Sequence, residues 1–173
     1  MPSVCQRAFL FNRDDIIEVG GVLLADVFAF EVPRFIFCSL YGYLNGVMTV
    51  LAINRIYVHR AVYEEFVTQL AAAADALSVD NGLENPAADL GAMASAEPLD
   101  KTRIHLQDAL VKGARLVAGG KAPEGIQYAK GHFFRPTVIA DCKHSMQVMS
   151  EETFGPLVGV APFDDLDEAI NYA

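Results

Sequence analysis

Clustered positive charge, paired cysteines and ligand-spaced histidines are all missing from this sequence. Lys and Arg total 13 against 22 Asp and Glu, for a formal net charge of -9. The nearest thing to a basic cluster is a few scattered bases between Lys101 and Lys121. Phosphate recognition needs a concentrated basic footprint, so nucleic acid is a poor partner. The acidity reads as a soluble, self-repelling surface. Cys5, Cys38 and Cys142 are odd in number and form no CxxC, which argues against a disulfide framework and a zinc site. Reduced thiols in a cytosol-like compartment follow, so a cytoplasmic location is expected. His59, His105, His132 and His144 have no metal-ligand spacing; surface or loop roles are expected for them, and no metal site. There is no internal repeat, no low-complexity segment, and no Gly-rich turn between a strand and a helix that could cradle a pyrophosphate.

The 173 residues suffice for one domain with a real core, and more than half of them are hydrophobic, which excludes disorder. The apolar stretch Ala8–Phe11 is too short for a signal peptide, and Arg13, Asp14 and Asp15 follow at once. Phe35 to Ile53 carries no charge and approaches membrane-spanning length. Ser39, Gly42, Asn45, Gly46 and Thr49 interrupt it, and Arg34 and Arg55 flank it on both sides, giving no orientation signal. A buried segment is expected there, not a span; a membrane-anchored domain is the weaker alternative.

Patterning changes near residue 50. Upstream the chain is apolar and poorly patterned. Downstream, strands alternate with helices. Arg55–His59 reads as a β-branched and aromatic strand. Ala61 to Leu77 reads as a helix, with Val62, Phe66, Val67, Leu70 and Ala74 on one face and Glu64 and Glu65 favoured by the dipole of its first turn. A second helix is expected from near Pro98 to Gly113, burying Leu99, Leu106, Ala109 and Leu110. Ala114–Ala118, Phe133–Ala140 and Leu157–Phe163 read as extended, and Asp165 as the cap of a last helix. Such alternation implies crossover units: an α/β fold with three layers and a mainly parallel sheet. Its expected core includes Ile56, Val58, Phe66, Leu70, Leu106, Leu110, Val117, Val138 and Val160. The last helix has no terminator, so the domain is expected to be incomplete at both ends.

Several stretches carry a resemblance. Ser150-Glu151-Glu152-Thr153-Phe154-Gly155-Pro156 resembles the Glu-Glu-x-Phe-Gly-Pro motif of aldehyde dehydrogenases. Phe133–Val138 is similar to the strand that leads into that motif, and Lys112-Gly113-Ala114 with Gly119-Gly120-Lys121 to its helix-to-strand connection. Asn54–Val58 resembles the strand that follows the family's nucleophile. The nearest subgroup is the succinate-semialdehyde dehydrogenase type. Upstream, Ile17–Gly21 looks like the Glu-Leu-Gly-Gly segment and Asn45–Val50 like Asn-Gly-Gly-Gln-Thr-Cys. Position by position, Glu18 falls on the general base, Met48 on the glutamine and Val50 on the catalytic cysteine, which is lost. This divides the chain into a degenerate or misassigned N-terminal segment, 1–50, and a partial catalytic domain of the aldehyde dehydrogenase type, 51–173.

The resemblance implies oxidation of a small aldehyde to a carboxylic acid with NAD or NADP. A thiolate attacks the carbonyl carbon, donors hold the oxyanion, hydride leaves, and a carboxylate activates water. Glu152 would accept hydrogen bonds from the nicotinamide ribose and Phe154 would pack beside the ring. Burial among Ile16, Ile17 and Val19 would raise the pKa of Glu18 toward a base's useful range. Val50 has no polar atom and cannot replace a thiolate. Cys38 is a weak substitute, because buried free cysteine behaves as a small hydrophobe. The family's dinucleotide-binding domain lies mostly upstream of this chain's start, so the chain alone is expected to be inactive and not to bind cofactor. Partners implied by resemblance are a second copy or a full-length relative. Rival readings are a catalytically dead scaffold or interaction module, and a gene-model artefact over residues 1–50.

Overall fold

In the computed structural model, residues 8–11, 16–19 and 55–172 are described. Six strands form one sheet in the order β2-β1-β3-β6-β5-β4. They are β1 (Ala8–Phe11), β2 (Ile16–Val19), β3 (Arg55–His59), β4 (Arg115–Ala118), β5 (Thr137–Ala140) and β6 (Leu157–Phe163). The pairs β1–β3, β3–β6 and β6–β5 are parallel, and the outer pairs β1–β2 and β4–β5 are antiparallel. The helices are α1 (Tyr63–Ala76), α2 (Ala96–Val111), α3 (Gln147–Ser150) and α4 (Leu166–Tyr172). The expected three-layer α/β architecture is what the chain adopts.

Successive strand residues point to opposite faces, and in β3, β5 and β6 both faces are covered. Ile56, Val58, Val138, Ala140, Val158 and Val160 pack on one face against Tyr63, Phe66, Val67, Leu70 and Ala74 of α1. Tyr57, Ile139, Leu157, Ala161 and Phe163 face the other way, toward Leu99, Leu106 and Ala109 of α2, Val148 and Met149 of α3, and Ala169 of α4. Of the expected core, Leu110 and Val117 are only partly buried, each packed against its cluster.

Several boundaries differ from expectation for local reasons. Ser95, not a residue next to Pro98, precedes the first residue of α2. Pro98 sits in the helix's first turn, where its missing N–H leaves no bond unmade. Gly113, at a φ of 96°, follows the end of that helix in the left-handed region open to glycine. Asp165 Oδ1 accepts from the N–H groups of Asp167 and Glu168, capping α4 as read. β1, β2 and α3 were not expected; each is only 4 residues long, too short to show a period. The Phe35–Ile53 stretch lies outside the described residues, and no helix among those described is long and apolar enough to cross a membrane.

Tyr63 ties α1 to two strands. Its hydroxyl donates to the Val160 carbonyl at 3.3 Å and accepts the Asp141 N–H at 2.5 Å. Asp141 has a φ of 59°, a left-handed conformation that this hydrogen bond helps hold. Burial pushes the Tyr63 phenol well above its ordinary value, so it stays protonated as a donor. Tyr63→Phe should leave the fold intact and cost about 1–3 kcal/mol, the usual penalty for stranding buried polar groups. A urea unfolding curve would read this as a lower midpoint at unchanged slope.

Candidate functional site

The strand starts gather the sequence-predicted residues at one end of the sheet. Arg55, the first residue of β3, pairs with Gly159 on one side and Ala8 on the other, and Ala8 pairs with Val19. Glu18 is opposite Phe9, which is opposite Ile56. Its backbone therefore lies two strand spacings from β3, roughly 10 Å across the sheet. The segment 151–156 runs directly into β6 at Leu157, at the same end. Topology thus brings Glu18, Arg55, Glu152 and Phe154 to a common edge. Met48, Val50 and Cys38 lie outside the described residues.

The segment leading into β6 is held by a polar stripe along α2. Lys112, just past the helix end, donates to the Ser145 carbonyl at 2.9 Å and pairs with Asp108 at 2.8 Å. Asp108 accepts the Gln147 N–H at 2.9 Å. Lys112 and that N–H hold its carboxyl below the ordinary carboxylate range. His105 Nδ1 is hydrogen-bonded to Thr153 Oγ1 at 2.6 Å, and its Nε2 lies 3.5 Å from the Glu151 carboxylate. Thr102 packs against Gly155 so tightly that a Cβ there would lie 1.8 Å from its hydroxyl oxygen. Positions 102, 105, 108 and 112 recur at helical spacing and so lie along one side of α2.

His105 corrects the expectation of a surface or loop role. It is 1% exposed, in the middle of a helix. Burial lowers its pKa; Glu151 opposes that shift, Lys101 adds to it, and Asp108 opposes it weakly. The neutral ring can then accept at Nδ1 from the Thr153 hydroxyl while Nε2–H points toward Glu151. No local spacing could reveal this, since the partners are separated by 48 positions in sequence.

A second anchor comes from β3. The buried Arg55 guanidinium donates through Nη1 to the Met149 carbonyl, near the end of α3. Burial lowers its pKa, with Tyr57 opposing. Thr153 and Gly155 are buried between these anchors, whereas Glu152 and Phe154 are only half-buried. Among the described residues the Glu152 carboxylate has no ion pair or hydrogen bond, and Phe154 belongs to neither core cluster. A carboxylate able to accept from hydroxyls beside a flat apolar ring suits the ribose and nicotinamide end of a dinucleotide. No Gly-rich strand-to-helix turn among the described residues suits the pyrophosphate.

The opposite end of the sheet holds a cleft of about 460 Å³ lined by Tyr57, Arg60, His144, Phe163 and Tyr172. The Tyr57 hydroxyl meets His144 Nδ1 at 3.0 Å, and His144 stacks on Tyr172. Cys142 borders this cleft, but burial pushes its thiol up to about 12, so it supplies no thiolate at neutral pH.

Residues 48–173 match the model of the aldehyde dehydrogenase family. Succinate-semialdehyde dehydrogenase [NADP(+)] 2 of Schizosaccharomyces pombe is 42% identical over 91% of this chain and 31% of its own length. A crystal structure of succinate-semialdehyde dehydrogenase from Burkholderia pseudomallei is similar at a TM-score of 0.79 with 32% identity, covering 96% of this chain and 30% of that one. An E. coli NADP-dependent enzyme aligns at 0.80 with 30% identity, over 98% and 31% of the two chains. The chain thus spans about a third of the length of the relatives it matches.

Two outcomes are expected. Gly155→Ala should destabilise the chain by about 1–3 kcal/mol through overpacking on Thr102, and Thr102→Ala in the same background should recover part of that loss. A double-mutant cycle in urea measures it; strict additivity would contradict the contact. Stability should also fall with acidification in two windows. His105 and His144 have lowered native pKa values. Below about pH 6.5 the unfolded chain therefore binds more protons than the native one, and stability is lost as pH falls. Asp80, Asp89, Asp108 and Asp164, whose values are also lowered, add the same sign below about pH 4. His105→Asn should make the upper window shallower and leave the lower one intact; a flat profile from pH 7 to 5 in the unmodified chain would contradict this.

Proposed function

The chain belongs to the aldehyde dehydrogenase family, and from that membership we propose that it is part of a catalytic domain that oxidises an aldehyde to a carboxylic acid with NAD or NADP. By itself it is catalytically silent, because Val50 stands where the nucleophilic cysteine would. The carrying observation is the segment 151–156. Its buried residues Thr153 and Gly155 are locked to α2, while Glu152 and Phe154 are only half-buried. The succinate-semialdehyde dehydrogenase likeness favours a semialdehyde as substrate class, and the names of two relatives favour NADP. We place the catalytic-domain segment at 51–173 and read 1–50 as degenerate, although 8–11 and 16–19 pair into the same sheet.

Roles divide by residue. Glu152 accepts hydrogen bonds from ribose hydroxyls, and Phe154 offers a face against which a ring is held in one pose. A nicotinamide cofactor, when bound, supplies the hydride acceptor. Glu18 is the base that would take a proton from water during hydrolysis of a thioester. Val50 offers no lone pair to attack a carbonyl carbon, so no thioester forms and Glu18 has nothing to hydrolyse. The same substitution favours a second reading, a scaffold that packs against another copy or a full-length relative.

The purified chain should show no NAD(P)-dependent oxidation of a panel of aldehydes, succinate semialdehyde included, by absorbance of reduced cofactor. Losing a nucleophile costs on the order of a million-fold in rate in comparable enzymes. Val50→Cys alone should not restore activity, since no Gly-rich strand-to-helix turn among the described residues suits a pyrophosphate. Turnover above the no-enzyme control in the unmodified chain would overturn the assignment at Val50.

A further inference from the structure

His105 is the one ring in the stripe along α2 whose two nitrogens reach both sides of Glu152. Nδ1 meets Thr153 Oγ1 at 2.6 Å, and Nε2 faces Glu151 at 3.5 Å. His105 and Thr153 are 1% and 2% exposed, so water cannot substitute for either partner. Other charged groups facing the ring are Lys101 and Asp108 on its own helix and Glu151 on the segment. Burial alternates along the segment: Thr153 and Gly155 are buried, Glu152 and Phe154 only half-buried. Holding the Thr153 side chain in place therefore constrains the backbone from which Glu152 and Phe154 project.

We propose that His105 is a positioning residue: through Thr153 it holds the backbone that presents Glu152 and Phe154, and so sets the pose of whatever those two side chains grip. This rests on the reading that Glu152 and Phe154 face a cofactor. The two ring nitrogens make separable demands. An Asn amide overlays the Nδ1 position and keeps a partner for Thr153. A Gln amide reaches the Nε2 position and removes the ring nitrogen that meets Thr153 Oγ1. On the other side of the contact, Thr153→Val removes the hydroxyl at constant shape and Thr153→Ser keeps it.

The test is amide hydrogen exchange of the full chain, followed by mass spectrometry, with no cofactor or aldehyde present. In His105→Gln and Thr153→Val, exchange across 152–155 should speed up about tenfold, the scale of one lost buried hydrogen bond. Strand 137–140 should keep its protection. His105→Asn and Thr153→Ser should stay within about twofold of the unmodified chain on that same scale. Equal exchange at 152–155 in all four variants overturns the proposal, as does acceleration that appears only together with strand 137–140. If His105→Gln fails to fold, the Val and Ser pair at Thr153 decides by the same criteria. Turnover in the aldehyde assay would sink the reading at Val50 without touching this result, and unchanged exchange would sink the positioning role without touching that reading.

Discussion

The hydrogen bond between His105 and Thr153 joins a helix to a stretch of chain that has no sheet ladder to join. Between α3 and β6 the backbone belongs to no regular element, and buried backbone groups need partners. α2 supplies what the sheet cannot, through Lys112, Asp108, His105 and Thr102 in turn. The contacts run in reverse order along the two segments: residue 112 meets 145, 108 meets 147, 105 meets 153, and 102 meets 155. Side chains of α2 thus zip that helix to the stretch 145–155, which includes α3 and the irregular chain after it. The outer rungs at Lys112 and Asp108 reach solvent, whereas the inner ones bury Thr102, His105 and Thr153, each of which is hydrogen-bonded.

This zipper decides where chemistry can sit. Open α/β sheets commonly bind ligands beyond the carboxyl ends of their strands. Here the carboxyl end carries the Tyr57–His144–Tyr172 cluster, while the residues that match the family motif lie at the amino ends of β3 and β6. Arg55 reinforces that end from the sheet side, because its guanidinium crosses from β3 to the Met149 carbonyl. The segment 151–156 is therefore held by α2, and the end of α3 just before it is held by β3.

Legibility in the sequence followed the range of the interaction. β3 and β6 could be read residue for residue, because a run of β-branched and aromatic residues bounded by breakers is a local signal. The cap at Asp165 was equally local. β1 and β2 were missed because their place is set by pairing with a strand far along the chain. The motif around Glu152 was legible as a resemblance; its support was not. Thr102 and His105 lie between Leu99 and Leu106 on α2, and their partners lie about fifty positions away, so no local pattern marks them.

Scaffold and reaction in this chain make different demands on a side chain. The zipper needs shape and hydrogen-bond complementarity, which Thr102, His105, Thr153 and Gly155 provide together, and a change at any one leaves the others strained or unpaired. A nucleophile needs one atom able to become an anion. Exchanging a cysteine side chain for an isopropyl group, as we propose at Val50 from the resemblance of Asn45–Val50, removes that atom while keeping an apolar side chain of similar size. A chain can therefore lose the reaction without losing the architecture that presented it. The half-buried Glu152 and Phe154 are flanked by the locked Thr153 and Gly155, so shape and hydrogen bonding in the scaffold, and not a reactive atom, hold the backbone that carries them.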